Sequence, residues 1–119
     1  MKGYIAYNLN SESISQIQGI FVPKFKKAVC HHVTLEFGVD SNKPLPSVEQ
    51  VVAIAYACNE NIECLVVSVN GTTHRPDGSF YHVTLSHNEN AKPFDSNKLK
   101  DHTPIEQFEI EGKVVFNPF

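Results

Sequence analysis

One tetrapeptide occurs twice in this chain, as His32-Val33-Thr34-Leu35 and, fifty residues on, as His82-Val83-Thr84-Leu85. Valine and threonine are β-branched and favour an extended backbone, so both copies read as strands. Along a strand, residues i and i+2 share a face. Each copy therefore turns a histidine and a threonine one way and a valine and a leucine the other, into a core. Two such strands side by side about a pseudo-twofold axis bring two imidazoles and two hydroxyls into one cleft, backed by four apolar side chains.

The rest of the chain supplies elements around that pair. Residues 2 to 8 alternate and read as a strand; Asn10 or Ser13 then caps a short helix carrying Ile14, Ile17 and Ile20. Residues 28 to 37, holding the first copy, form a second strand that Gly38 stops. After Pro44-Leu45-Pro46 breaks the chain, Ser47-Val48-Glu49-Gln50 has the spacing of a capping box. Val48, Val51, Val52, Ala55, Tyr56 and Cys58 follow at helical spacing, which predicts a second helix. Residues 65 to 69 make a further strand, and Pro76-Asp77-Gly78 turns the chain into a hairpin over 79 to 86. The polar stretch from Ser86 to Pro104 is long for a compact domain and reads as a lid over a site or as a mobile loop. Residues 108 to 116 alternate like an edge strand, kinked at Gly112.

The inventory on the polar face of the repeat is what phosphodiester cleavage needs. One neutral imidazole takes a proton from the attacking oxygen while a protonated one gives a proton to the leaving oxygen, and histidine holds either state near neutrality. Thr34 and Thr84, with backbone amides, can hold the non-bridging oxygens as charge builds on phosphorus. No metal and no cofactor is required. Tyr7, with Tyr4 on the first strand, offers an aromatic face for a nucleobase, although core packing is the commoner task of such residues. His31 and Tyr81 fall on the opposite face by alternation and are left out of the catalytic set. Arg75 and Lys92 flank the second copy in loops, where steering an anion competes with plain solvation.

Other chemistries fit less well. His74, His87 and His102 raise the thought of zinc, but no His-x-x-x-His or Cys-x-x-Cys spacing occurs. No Gly-x-Ser-x-Gly elbow is present, and Cys30 faces away from its neighbour His31 on a strand. With 119 residues, 41% of them hydrophobic, the chain suits a single domain over residues 1 to 119. A net charge of -3 argues against binding along long nucleic acid but leaves room for a small anionic nucleotide or an RNA end. Lys24, Lys26 and Lys27 read as a solvated face. No segment is apolar enough to span a bilayer or resembles a secretory signal, and Cys30, Cys58 and Cys64 form no evident disulfide framework, so a soluble cytoplasmic protein without a membrane partner is expected.

The twin motifs carry a resemblance to the two-histidine (2H) phosphoesterase superfamily, defined by two His-x-Thr/Ser-hydrophobic motifs, which both copies match in full. The resemblance implies an α+β, bilobal, pseudo-symmetric fold with antiparallel sheets lining a central cleft and helices outside. It also implies that His32 and His82 are acid and base and that Thr34 and Thr84 bind phosphate. The family includes cyclic phosphodiesterases acting on 2',3'-cyclic phosphate ends of RNA and phage anti-CBASS enzymes that linearise cyclic oligonucleotides. A hydrolase acting on a small cyclic nucleotide or cyclic oligonucleotide is the reading this favours, in a host cytoplasm if the gene is a phage's. An RNA-end 2',3'-cyclic phosphodiesterase and a non-catalytic nucleotide-binding module of the same fold stand as alternatives. The motifs lie closer together here than in many members and the chain is shorter, so the second lobe must be trimmed.

Overall fold

A computed structural model describes residues 1–119. In chain order it contains β1 (Lys2–Leu9), α1 (Ser11–Ile20), β2 (Lys27–Ala28), β3 (His32–Asp40), β4 (Val51–Cys58) and β5 (Ile62–Val69). These are followed by β6 (His82–His87), a short 3-10 helix (Pro93–Lys98), β7 (His102–Ile110) and β8 (Gly112–Pro118). All strands join one antiparallel sheet in the order β7-β4-β5-β6-β3-β1-β8, with β2 added to β6. The class is α+β with the sheet dominant, and the sheet is curled into a half-barrel.

The curl has a local cause. β7 and β8 lie at opposite edges of the sheet, yet only Glu111 separates them along the chain. One residue cannot bridge a flat sheet of this width, so the two edges must approach each other there. Glu111 is fixed at that point: its N–H donates to Ser13 Oγ at 2.8 Å and its carbonyl accepts from Asn10 N–H at 2.9 Å. Asn10 also caps α1, accepting from Ser13 N–H at 2.8 Å. A Cβ at position 112 would collide with the Asn8 carbonyl, so glycine is what lets β8 lie against β1 here. The kink expected at Gly112 is thus a crossing from one sheet edge to the other, which divides the single strand expected over 108 to 116 into two with different partners.

The two faces of the sheet carry separate apolar clusters. The larger one includes Val33, Leu35, Val83 and Leu85 with Ile5, Leu65 and Val67, and is covered by Ile17 of α1. The smaller gathers Ala55, Ala57, Ile62, Cys64, Val66 and Phe80 with Ala91 and Leu99, which flank the 3-10 helix. Ile17 is fully buried, whereas Ile20 stays exposed.

The helix expected from Ser47 onward does not form; Val51–Cys58 is β4, between β5 and β7. The capping-box signal is overridden by Asn70, whose Oδ1 accepts from Glu49 and Gln50 N–H at 2.8 and 3.1 Å, and whose Nδ2 donates to the Ser47 carbonyl at 3.0 Å. The amides a helix would leave for its cap are therefore already bonded. A register shift between Ala53 and Ala55 then divides the strand, sending Val51 and Ala53 to the large cluster and Ala55 and Ala57 to the small one. Apolar residues serving two faces in turn imitate a helical period. No helix is long and apolar enough to cross a membrane.

Candidate active site

The two copies of the tetrapeptide meet at the centre of the sheet. β3 and β6 pair antiparallel at a single position, Val33 opposite Val83. The register breaks on one side of that pair, where the Cys30 N–H donates to the Thr84 carbonyl at 2.8 Å, so His31 and His32 are looped out between two ladder contacts with β6. Val33 and Val83 are fully buried in the large cluster, with Leu35 and Leu85 beside them. Their polar neighbours His32, Thr34, His82 and Thr84 all line one cavity of about 700 Å³ on the other face. β3 and β6 share no further pair: β2 takes up β6 at Ser86 and His87, while each strand keeps its outer neighbour, β1 for β3 and β5 for β6.

His82 has a defined tautomer. Its Nδ1 lies 3.2 Å from the Phe80 carbonyl, which can only accept, so Nδ1 carries the proton and Nε2 keeps a free lone pair. Burial holds its pKa down to about 4; the bond to Phe80 opposes this, while the positive charge of Arg75 and that of His32 add to it. The His32 pKa is also lowered, first by burial and then by neighbouring His31. Its ring lies 5.6 Å from the Tyr4 ring, centre to centre. Both imidazoles are therefore neutral in the free protein at pH 7.

The threonines differ. Thr84 Oγ1 donates to the Pro93 carbonyl at 3.1 Å and lies 2.9 Å from Ser96 Oγ, so this hydroxyl holds the 3-10 helix against β6. Thr34 is half-buried on the cavity wall and carries no such tether. The 86 to 104 stretch is in this way a wall of the site, contributing Pro93, Phe94 and Asn97 to the cavity.

Arg75, which the sequence alone leaves as a loop charge, is built into the wall. Its side chain is 9% exposed; Nε donates to Ser79 Oγ at 2.6 Å and lies 3.6 Å from Asp77 Oδ1, and Nη2 donates to Asn97 Oδ1 at 3.3 Å. The Arg75-Pro76-Asp77-Gly78 turn holds it there, with Gly78 at φ 90° and its N–H donating to the Arg75 carbonyl at 2.9 Å. That turn was visible in the sequence, but the side-chain direction was not. Nothing in the sequence marked Phe94 or Asn97.

Two expectations need correction. Tyr7 does not reach the cavity: it is 9% exposed in the large cluster, and its hydroxyl donates to the Ile110 carbonyl at 3.4 Å across the closure of the half-barrel. Tyr4, three residues earlier on a strand with two register shifts, lines the cavity instead. His31 also borders the cavity instead of pointing away. Strand alternation does not extend to it, because β3 begins at His32 and Cys30 sits in the left-handed region at φ 55°. Tyr81 does pack on the large cluster.

Burial pushes the Cys30 thiol up to about 11 and the Cys64 thiol up to about 12, so neither supplies a thiolate near neutrality. No three His, Cys, Asp or Glu side chains are grouped as metal ligands would be. Comparison of the chain with protein-family models, with curated proteins and with solved structures finds no match.

Proposed function

We propose that this protein is a metal-independent phosphodiesterase of the two-histidine kind, hydrolysing a small cyclic nucleotide or cyclic oligonucleotide. The observation that carries the reading is the pairing of Val33 with Val83, around which His32, Thr34, His82 and Thr84 all line one cavity. The two-lobed, pseudo-symmetric architecture belongs to the same proposal, its halves being β8-β1-β3 and β6-β5-β4-β7 on either side of that pair.

His82 is the base. Its Nε2 lone pair is free, and a charged His82 would face the Arg75 cation, so the neutral form is the resting one. His32 is the acid. An anionic phosphodiester in the cavity favours the protonated form of a nearby imidazole, so substrate brings the proton that His32 needs. Water gives a proton to His82 Nε2 as its oxygen bonds to phosphorus; the bond from phosphorus to the leaving oxygen breaks, and that oxygen takes the proton of His32. One water is consumed, and a phosphodiester becomes a phosphomonoester and an alcohol. Thr34 and Arg75 line the same cavity, and in this reading the Thr34 hydroxyl and the Arg75 guanidinium donate to the non-bridging oxygens as negative charge grows. A reducing cytoplasm, in a host cell if the gene is a phage's, suits the three free cysteines.

The engagement of the Thr84 hydroxyl by Pro93 and Ser96 favours a second reading, a nucleotide-binding module in which one motif has become structural. One experiment separates the two. Purified protein is incubated with cyclic mononucleotides, cyclic di- and trinucleotides and 2',3'-cyclic phosphate RNA ends, with and without EDTA, and the products are resolved by chromatography. The phosphodiesterase reading predicts turnover of at least one cyclic compound, unchanged by EDTA; stoichiometric binding without turnover supports the module instead.

A further inference from the structure

His32 stands between two recesses. The main cavity lies on its His82 side, and on its other side a second recess of about 380 Å³ shares Tyr4, His31 and His32 with it and continues over Asn8, Leu9, Ile14 and Asn117. Asn8 is exposed on β1, and Asn117 lies directly across from Tyr4 on β8. Most other asparagines of the fold have defined bonding tasks: Asn10 caps α1, Asn59 and Asn88 hold turns, and Asn70 and Asn97 brace neighbouring segments. The side-chain amides of Asn8 and Asn117 have no such partner and face a hollow beside an ionisable imidazole. Each amide offers one acceptor and two donors, the complement of a nucleobase edge, and the Tyr4 ring supplies an apolar plane next to them.

A phosphorus held between His32 and His82 has its leaving oxygen roughly in line with the attacking water, so with water at His82 the leaving arm is directed to the His32 side, while the retained ester arm stays roughly perpendicular to that line. The leaving arm leads past His32 into the recess, and the retained arm lies in the main cavity with Phe94, Asn97 and Arg75. We infer that the recess is a second nucleoside pocket, so that the substrate is a phosphodiester with a nucleoside on each arm, not a mononucleoside cyclic phosphate. This rests on the phosphodiesterase reading and narrows it: Asn8 and Asn117 are specificity-determining residues that hold the nucleoside on the His32 arm.

The test compares three compounds on wild-type protein and on the N8A/N117A variant: adenylyl-(3'→5')-adenosine, 2',3'-cyclic AMP and bis(4-nitrophenyl) phosphate. Asn8 is exposed and Asn117 half-buried, and neither belongs to an apolar cluster, so the variant is expected to fold, which its circular dichroism checks. The inference predicts that kcat/KM for the dinucleotide exceeds that for 2',3'-cyclic AMP at least tenfold. It also predicts that the variant loses roughly tenfold on the dinucleotide, mainly through KM, while bis(4-nitrophenyl) phosphate turnover stays within twofold. Preference for 2',3'-cyclic AMP, or an equal effect of the variant on all three compounds, overturns it. If none of the three is turned over, the phosphodiesterase reading fails, and calorimetry with adenylyl-(3'→5')-adenosine then decides the pocket alone. Binding weakened in N8A/N117A upholds it, and binding unchanged or absent overturns it.

Discussion

The depressed pKa of His82 makes the stability of the protein depend on pH, in a direction it shares with His32, whose pKa is lowered too. A histidine held at about 4 in the folded state and at its ordinary value of 6.5 when unfolded binds fewer protons folded than unfolded between those values. Its contribution is therefore intact above pH 6.5 and is lost progressively as pH falls toward 4. Full loss is about 3 kcal/mol, and at pH 5 about 2 kcal/mol has gone, from 1.36 kcal/mol per pKa unit. Asp40, Asp77 and Asp95 have lowered pKa values, through hydrogen bonds from the N-terminal ammonium, Ser79 and the Lys92 amide first, and they lose their contributions only below the usual carboxylate range. Urea unfolding of wild type and His82→Gln at pH 8 and at pH 5 isolates the histidine. The wild type is expected to lose about 2 kcal/mol more than the variant between the two pH values, whatever the variant's stability at pH 8. Equal losses in the two proteins would refute the buried, neutral state of His82.

The same pKa directions fix the activity profile. His82 must be neutral and His32 protonated, so kcat/KM should rise through about pH 4 and fall below pH 6.5, with its maximum on the acidic side of neutrality; an optimum above pH 7 contradicts the assignment. For kcat the alkaline limb should move upward, because a bound phosphodiester anion favours the charged imidazole. The threonines should separate: Thr34→Ala is expected to lower kcat by about tenfold or more with stability nearly unchanged. Thr84→Ala should cost about 1–3 kcal/mol in urea unfolding through the freed Pro93 carbonyl and Ser96 hydroxyl. Equal effects of the two on stability would show that the motifs are not used asymmetrically.

The geometry of the motif was legible because strand alternation is a local rule: Val33, Leu35, Val83 and Leu85 had to be buried together if the histidines were to share a face, and they are. Where local rules were interrupted, the reading failed. His31 lies beyond a left-handed Cys30, so its direction is set by a turn and not by a strand. Tyr7 was separable from Tyr4 only through the register shifts of β1 against β3 and the closure of the sheet onto Ile110, 103 residues away. β4 imitated a helix because the bulge near Ile54 made its apolar residues serve two faces, and because the amides of its apparent cap were claimed by Asn70, twenty residues on. Arg75 illustrates the remaining gap: the turn that positions it was visible, but Asn97, which helps hold it over the cavity, lies in a segment with no periodicity to read.

The central claim, that His32 and His82 act as one acid-base pair on a phosphodiester, is tested most directly by a double-mutant cycle on kcat/KM with His32→Ala, His82→Ala and both together, in EDTA. Each single substitution is predicted to lower kcat/KM by at least about a hundredfold, and the double variant to be little worse than either single one, since neither imidazole works without the other. Wild-type turnover in either single variant would contradict the claim.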